Sequence, residues 1–282
     1  MFNPNYKLAS RPHAKKYSHQ RGFSLVELMV GLTIGLFVVL AAVGSLVYTQ
    51  ATATIVGDSA RIQQTADSVF RNLGFHVAQA GALSIEPETG SSPVIRFSNV
   101  YTGFNTTTTG AAAGQIFSIH GVDGGATAPD TLRVSYQDNM LASDTNADKI
   151  AFGVRDCLGN RPASSTKVDN QFSVTGTDLL CLGAANSTPA QSIANGVEDF
   201  QVTYGVLTLN GGVDQIRYYT ANNIVDWTQI QAVTICLQLI GENRGNPQPG
   251  LTTTGCRGQT VTNDGLLRRV FWRTFAIRNA LL

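Results

Sequence analysis

The sequence predicts an α+β protein in which a helical N-terminal part precedes a β-rich remainder. Three observations carry this. Leu28 to Tyr48 is 21 residues without a charge, enough at about 1.5 Å per residue to cross a hydrocarbon layer about 30 Å thick. Downstream, Ile62, Ala66, Val69, Leu73, Val77 and Ala80 recur at steps of three and four, which trace one face of an amphipathic helix. After Pro87 the composition turns to Thr, Ser, Asn and Gly, with short β-rich runs between turn clusters.

The first element is a leader. Residues 1–22 hold Lys7, Arg11, Lys15, Lys16 and Arg21 and no acid. Five cations ahead of an apolar segment place the N-terminus on the cytoplasmic side. Pro4, Pro12 and the lack of an apolar run mark a processing segment outside the fold. The whole chain is near neutral, +1 from 20 basic and 19 acidic residues. Losing the five leader cations leaves 15 against 19, about −4, which gives no support for a general nucleic-acid surface.

The second element is the apolar helix. Its apolar stretch is longer than the ~7–15 residues of a secretory signal core. Gly31, Gly35 and Gly44 lie within it, and Gly31 and Gly35 form a small-xxx-small pair. Close helix packing accounts for these glycines. So does the general frequency of Gly in membrane helices, and both readings stay open. Glu27 is the only charged residue between Arg21 and Asp58. A carboxylate at the edge of a membrane segment is costly without a partner, which makes it a functional candidate. A cut after Gly22 makes Phe23 a new N-terminus, with a positive amine four residues from that carboxylate.

Gly22-Phe23-Ser24-Leu25-Val26-Glu27, after a basic leader and before an apolar helix, resembles the signal of type IV prepilins and of type II secretion pseudopilins. The resemblance covers about 30 residues. It implies cleavage between Gly22 and Phe23 by a prepilin peptidase, methylation of Phe23, and pairing of Glu27 with the N-terminal amine of a neighbouring subunit. It also implies a pilin-like fold: one long N-terminal helix whose first half spans the membrane and whose second half packs on an antiparallel β-sheet head. The expected domains are a leader at 1–22, a transmembrane and filament-core helix at 23–56, and an extracytoplasmic head at 57–282. No proline lies between Pro12 and Pro87, so the helix can run from Phe23 to about Gly81, with Gly57 and Asp58 the place for a bend. Arg61, Gln64, Asp67, Ser68 and Arg71 fall off its apolar face.

Candidate strands in the head are Val94–Val100, Gln115–His120, Thr131–Tyr136, Phe172–Val174, Gly196–Gly205, Gln215–Tyr219, Ile230–Leu239 and Arg269–Ile277. Asn105 to Gly114 reads as a surface loop. Asn210-Gly211-Gly212 between two strands is a hairpin signal. Asn195-Gly196-Val197-Glu198-Asp199-Phe200-Gln201-Val202-Thr203-Tyr204-Gly205-Val206 is similar to the PilW family of minor pilins. So are Asp130 to Tyr136, Trp227 with Val233-Thr234-Ile235-Cys236-Leu237, and the closing stretch from Arg269 to Asn279.

Cys157, Cys181, Cys236 and Cys256 all lie in the head, on the side where disulfides persist. Four cysteines allow three connectivities. Pairing Cys157 with Cys181 and Cys236 with Cys256 closes two local loops and is the favoured arrangement. A metal site is disfavoured, since there is no Cys-x-x-Cys and no His near a cysteine.

Asp144-Thr145-Asn146-Ala147-Asp148 starts like a calcium loop, but Lys149 and Arg155 stand where Gly and a bidentate Glu are required. It reads as a solvated turn, as does Asp123-Gly124-Gly125. For catalysis the residues offer little. His13 and His19 leave with the leader, and His76 and His120 have no sequence-evident partner, so both read as surface or part-buried histidines. There is no Gly-x-Ser-x-Gly and no nucleotide-binding glycine motif. Arg268, Arg269, Arg273 and Arg278 interleave with Phe271, Trp272, Phe275 and Ile277. This reads as a terminal strand with charged edges, in preference to a nucleic-acid surface.

The resemblance implies a non-enzymatic minor pilin that helps start or cap a type IV pilus, with no cofactor and no metal. Its partners are the prepilin peptidase, other minor pilins, the major pilin and inner-membrane lipid, with no specific nucleic acid. It sits in the inner membrane with a cytoplasmic N-terminus and a periplasmic head, then in the pilus at the cell surface. The alternatives are a J-type pseudopilin of a type II secretion system and a ligand-binding tip pilin for adhesion or DNA uptake.

Overall fold

A computed structural model describes residues 22–82, 85–87, 95–97, 118–137, 154–160, 167–183, 189–244, 250, 252–262 and 264–278. The leader before Gly22, the Asn105–Gly114 loop and the Asp144–Asp148 turn lie outside these residues. The chain divides into two compact units, residues 1–50 and 51–282.

Helix α1 spans Leu25–Gln79, and Gly57 and Asp58 lie within it. Within the first unit every described residue is exposed, with Phe37 at 74%. This apolar stretch is long enough to cross a membrane by length and composition. Within the second unit the expected face is buried: Ile62, Ala66, Val69, Leu73, Val77 and Ala80, joined by Phe70. Full burial of a side chain such as Leu73 contributes about 1.5–3 kcal/mol. The helix stops because Gly81 takes φ 73°, and its N–H donates to the Ser135 carbonyl at 3.0 Å.

Thirteen strands follow among the described residues. A short ribbon pairs β1 (Ile85–Pro87) with β2 (Ile95–Phe97). The meander β3 (Ile119–Val122), β4 (Thr131–Gln137), β5 (Lys167–Thr175), β6 (Asp178–Leu182) and β7 (Gln191–Asn195) forms a five-stranded antiparallel sheet. A second antiparallel sheet has the order β13-β10-β8-β9, from β8 (Val197–Asn210), β9 (Val213–Tyr219), β10 (Ile230–Arg244) and β13 (Leu266–Ala276). A ribbon of β11 (Thr252–Thr254) and β12 (Thr260–Thr262) completes the head.

Leu132 and Phe172 from one sheet join Tyr204, Ile235 and Leu237 from the other and the buried face of α1 in a single core. Phe275 of β13 stands 6.2 Å from Phe70, ring to ring, and its edge occupies the space over Gly74 that a side chain would fill. The hairpin at Asn210-Gly211-Gly212 is present: Asn210 pairs with Val213, and both glycines take positive φ, 61° and 84°, as a type I′ turn requires. Asp130 ties the sheets together. Its N–H donates to the Phe200 carbonyl, and its carboxylate accepts from Val202 N and Gly124 N.

Candidate assembly interface

Gly22, Phe23 and Ser24 precede α1 outside the helix, and the first helical bond runs from Leu28 N to the Ser24 carbonyl at 3.1 Å. Ser24 therefore stands at the helix N-cap and Glu27 three residues on, the spacing of a capping box. A carboxylate in the first turn is also favoured by the helix dipole. Among the described residues no group pairs with the Glu27 carboxylate, and Phe23 is 82% exposed. Gly31, Gly35 and Gly44 have nothing within 4 Å of where a side chain would sit. Among the described residues nothing therefore demands glycine at these positions.

In the second unit the helix is fastened by polar contacts that sequence reasoning missed. Asp58 is buried and accepts from Asn243 N at 3.0 Å and Asn243 Nδ2 at 2.7 Å. Gly241 leaves room for this carboxylate, since a side chain there would overlap it. Arg61 and Glu242 form an ion pair beside it. The signal was present: Asp58 falls one turn before Ile62 on the apolar stripe, where a charge needs a partner.

His76 is buried, where the sequence suggested a surface or part-buried position. Its Nδ1 lies 2.7 Å from the Tyr136 hydroxyl, which donates to the Arg155 carbonyl at 3.2 Å. Asn170 Nδ2 sits 3.2 Å from Nδ1, and Asn170 Oδ1 accepts from Cys157 N at 2.9 Å. Cys157 is joined to Cys181 and Cys236 to Cys256, with Cα–Cα distances of 6.2 and 5.7 Å.

Burial pushes His76 down from 6.5 to about 4. The unfolded chain takes up this proton near pH 6.5, whereas the folded head resists until about pH 4. The stability held by neutral His76 is therefore whole above pH 6.5 and declines as pH falls toward 4. Over that window the loss is about 3 kcal/mol. Urea unfolding of the detergent-solubilised full-length protein, followed by near-ultraviolet circular dichroism at pH 7 and 4.5, is expected to show this decline. His76→Phe is expected to remove most of it, and an equal decline in both proteins contradicts the assignment.

These contacts tie the helix and sheets of the head together. The His120 ring lies 4.7 Å from that of Trp227, tilted by 40°, and burial with the Arg133 charge lowers its pKa. Among the described residues no group of three His, Cys, Asp or Glu side chains is placed to hold a metal. On β13, Arg268 pairs with Glu198 at 2.8 Å and Asp264 at 2.6 Å, and Arg273 lies over the Phe70 ring. These two cations are committed within the head, as in a terminal strand.

Residues 17–43 match the prokaryotic N-terminal methylation motif, and residues 164–279 match the family model described as type IV pilus-assembly protein W. Together these two matches support a type IV minor pilin acting in pilus assembly, built as one long helix with antiparallel β-sheets. In this chain the region matched by the PilW model runs from the start of β5 through β13 and takes in the whole four-stranded sheet. Among solved structures it is similar to the type IV-like pilin TTHA1219 from Thermus thermophilus, at 12% identity and TM-score 0.40 over 79% of this chain and 100% of that one. No curated protein sequence matches the chain. The methylation motif and the apolar helix mark a membrane-anchored subunit of the pilus system.

Proposed function

We propose that this minor pilin works in the complex that starts or caps the pilus, after processing between Gly22 and Phe23. The observation that carries the reading is the Glu27 carboxylate, exposed and without a partner among the described residues, in the first turn of an exposed apolar helix. Prepilin peptidase removes the leader and methylates Phe23. The processed subunit waits in the inner membrane with its head in the periplasm. Its helix then leaves lipid for the helices of other minor pilins and the major pilin, and Glu27 pairs with the amine of a neighbouring Phe23. In a low-dielectric bundle each charge satisfies the other, which is the condition under which either can be buried. The role is structural and not catalytic, and its specificity lies in which heads and helices fit.

Mass spectrometry of the membrane-extracted protein tests the processing step. The expected N-terminus is N-methylated Phe23. An intact leader, or a cut beyond Tyr48, contradicts the reading.

A further inference from the structure

We infer that the outer edge of β9 is a docking edge that receives an antiparallel strand from the head of a neighbouring pilin subunit. The inference rests on the assembly role above and names the head surface through which that role is carried out.

The hydrogen-bonding phase of the sheet identifies the groups on that edge. Asp130 binds the Phe200 carbonyl and the Val202 N–H, so these two residues of β8 turn their backbone groups away from β10. Alternation along β8 then turns Tyr204, Val206, Thr208 and Asn210 toward β9. Their partners are Tyr219, Arg217, Gln215 and Val213, which therefore spend their backbone groups on the β8 ladder. Asp214, Ile216 and Tyr218 are left with N–H and C=O groups facing outward.

The side chains on this edge fit pairing and not protection. Soluble edges are blunted by charged side chains, Lys above all, and by Pro, bulges or short length. β9 is seven residues long, has charges only at Asp214 and Arg217, contains neither Pro nor Lys, and pairs with β8 without a bulge. Ile216 is 50% and Tyr218 49% exposed, and Leu209 of the adjoining strand is 74% exposed. Ile216 and Tyr218 flank Gly205, which puts them on the outward side of the sheet, opposite the buried side holding Tyr204 and Ile235.

The occupant follows from strand parity. Four antiparallel strands give β9 and β13 opposite directions. Heads related by translation thus bring the β13-type edge of one antiparallel to β9 of the next, and every α1 keeps its direction. Pairing β9 with a second β9 through a two-fold axis reverses one head. Only the first, head-to-tail contact can continue along a polar assembly.

The test places a photo-crosslinking amino acid at Tyr218 of the full-length protein in piliated cells, with a second probe at Leu36 on the apolar helix as control. The expected Tyr218 adduct is an edge strand of another pilin head. Ile216→Pro removes an outward N–H and no ladder bond, and proline is tolerated on an edge strand, so it is expected to cut the adduct at least tenfold and leave the melting temperature of the purified protein unchanged. Arg217→Pro removes a ladder bond and is expected to lower that temperature. If Ile216→Pro also lowers it, Ile216→Lys supplies the charged block in its place. An adduct to a second β9, an adduct insensitive to both Ile216 variants, or no Tyr218 adduct while Leu36 captures pilin helices overturns the docking edge. Silence at both probes removes the assembly role, and the docking edge with it.

Discussion

Glu27→Gln is expected to leave the protein in the membrane with a folded head and to abolish its incorporation into the pilus complex. Insertion survives because the substitution makes the apolar run no more charged. The head survives because its core draws on α1 only from Ile62 onward. Assembly fails because a neighbouring Phe23 amine would enter the helix bundle without a counter-charge. Breaking a buried pair in this way costs about 3 kcal/mol or more, over a hundredfold in an equilibrium. Cross-linking from Leu36 to partner pilins, compared at matched abundance, measures the loss. Equal cross-linking and piliation by the variant would remove Glu27 from the pairing role.

Reduction of both disulfides is expected to have the largest effect on the head itself. Cys157–Cys181 and Cys236–Cys256 span 24 and 20 residues. Closing loops of that size contributes about 3 kcal/mol each through the unfolded chain. The sum approaches the whole stability of many domains, roughly 5–15 kcal/mol. Thermal unfolding of the full-length protein with and without reductant is the measurement. The double variant Cys236→Ser with Cys256→Ser isolates one bridge, and a melting temperature indifferent to reductant contradicts the account.

Features governed by local pattern were legible in the sequence. The stripe from Ile62 to Ala80 gave the buried face of α1, because helical periodicity is a near-neighbour property. The paired glycines at 211 and 212 gave the β8–β9 hairpin for the same reason. The edge strand β7 was not legible: Gln191 to Asn195 is polar and largely exposed, so its ladder bonds leave no mark in hydrophobicity. β6 is a short run whose three leucines and cysteine imitate a loop between turns. Strands β8 and β10 outlast their apolar cores, since Thr208 to Asn210 pair with β9 and Arg244 pairs with Leu266 of β13 beyond a break in register. The motif at Gly22 to Glu27 could be read because it is contiguous. Asp58 and Asn243 are 185 residues apart and His76 and Asn170 are 94 apart, so only the folded head brings them together.

The Asp58 contact has a mechanical consequence. A helix held to a sheet by apolar side chains alone slides at small cost, because one methyl group substitutes for another along the way. A carboxylate gripped by two donors of Asn243 does not slide: shifting α1 by one residue moves it about 1.5 Å and turns it about 100°. A pull along α1 therefore meets these directional bonds in shear before the greasy contacts further along can yield. Asp58 acts as a rivet near the first point where tension in the helix reaches the head.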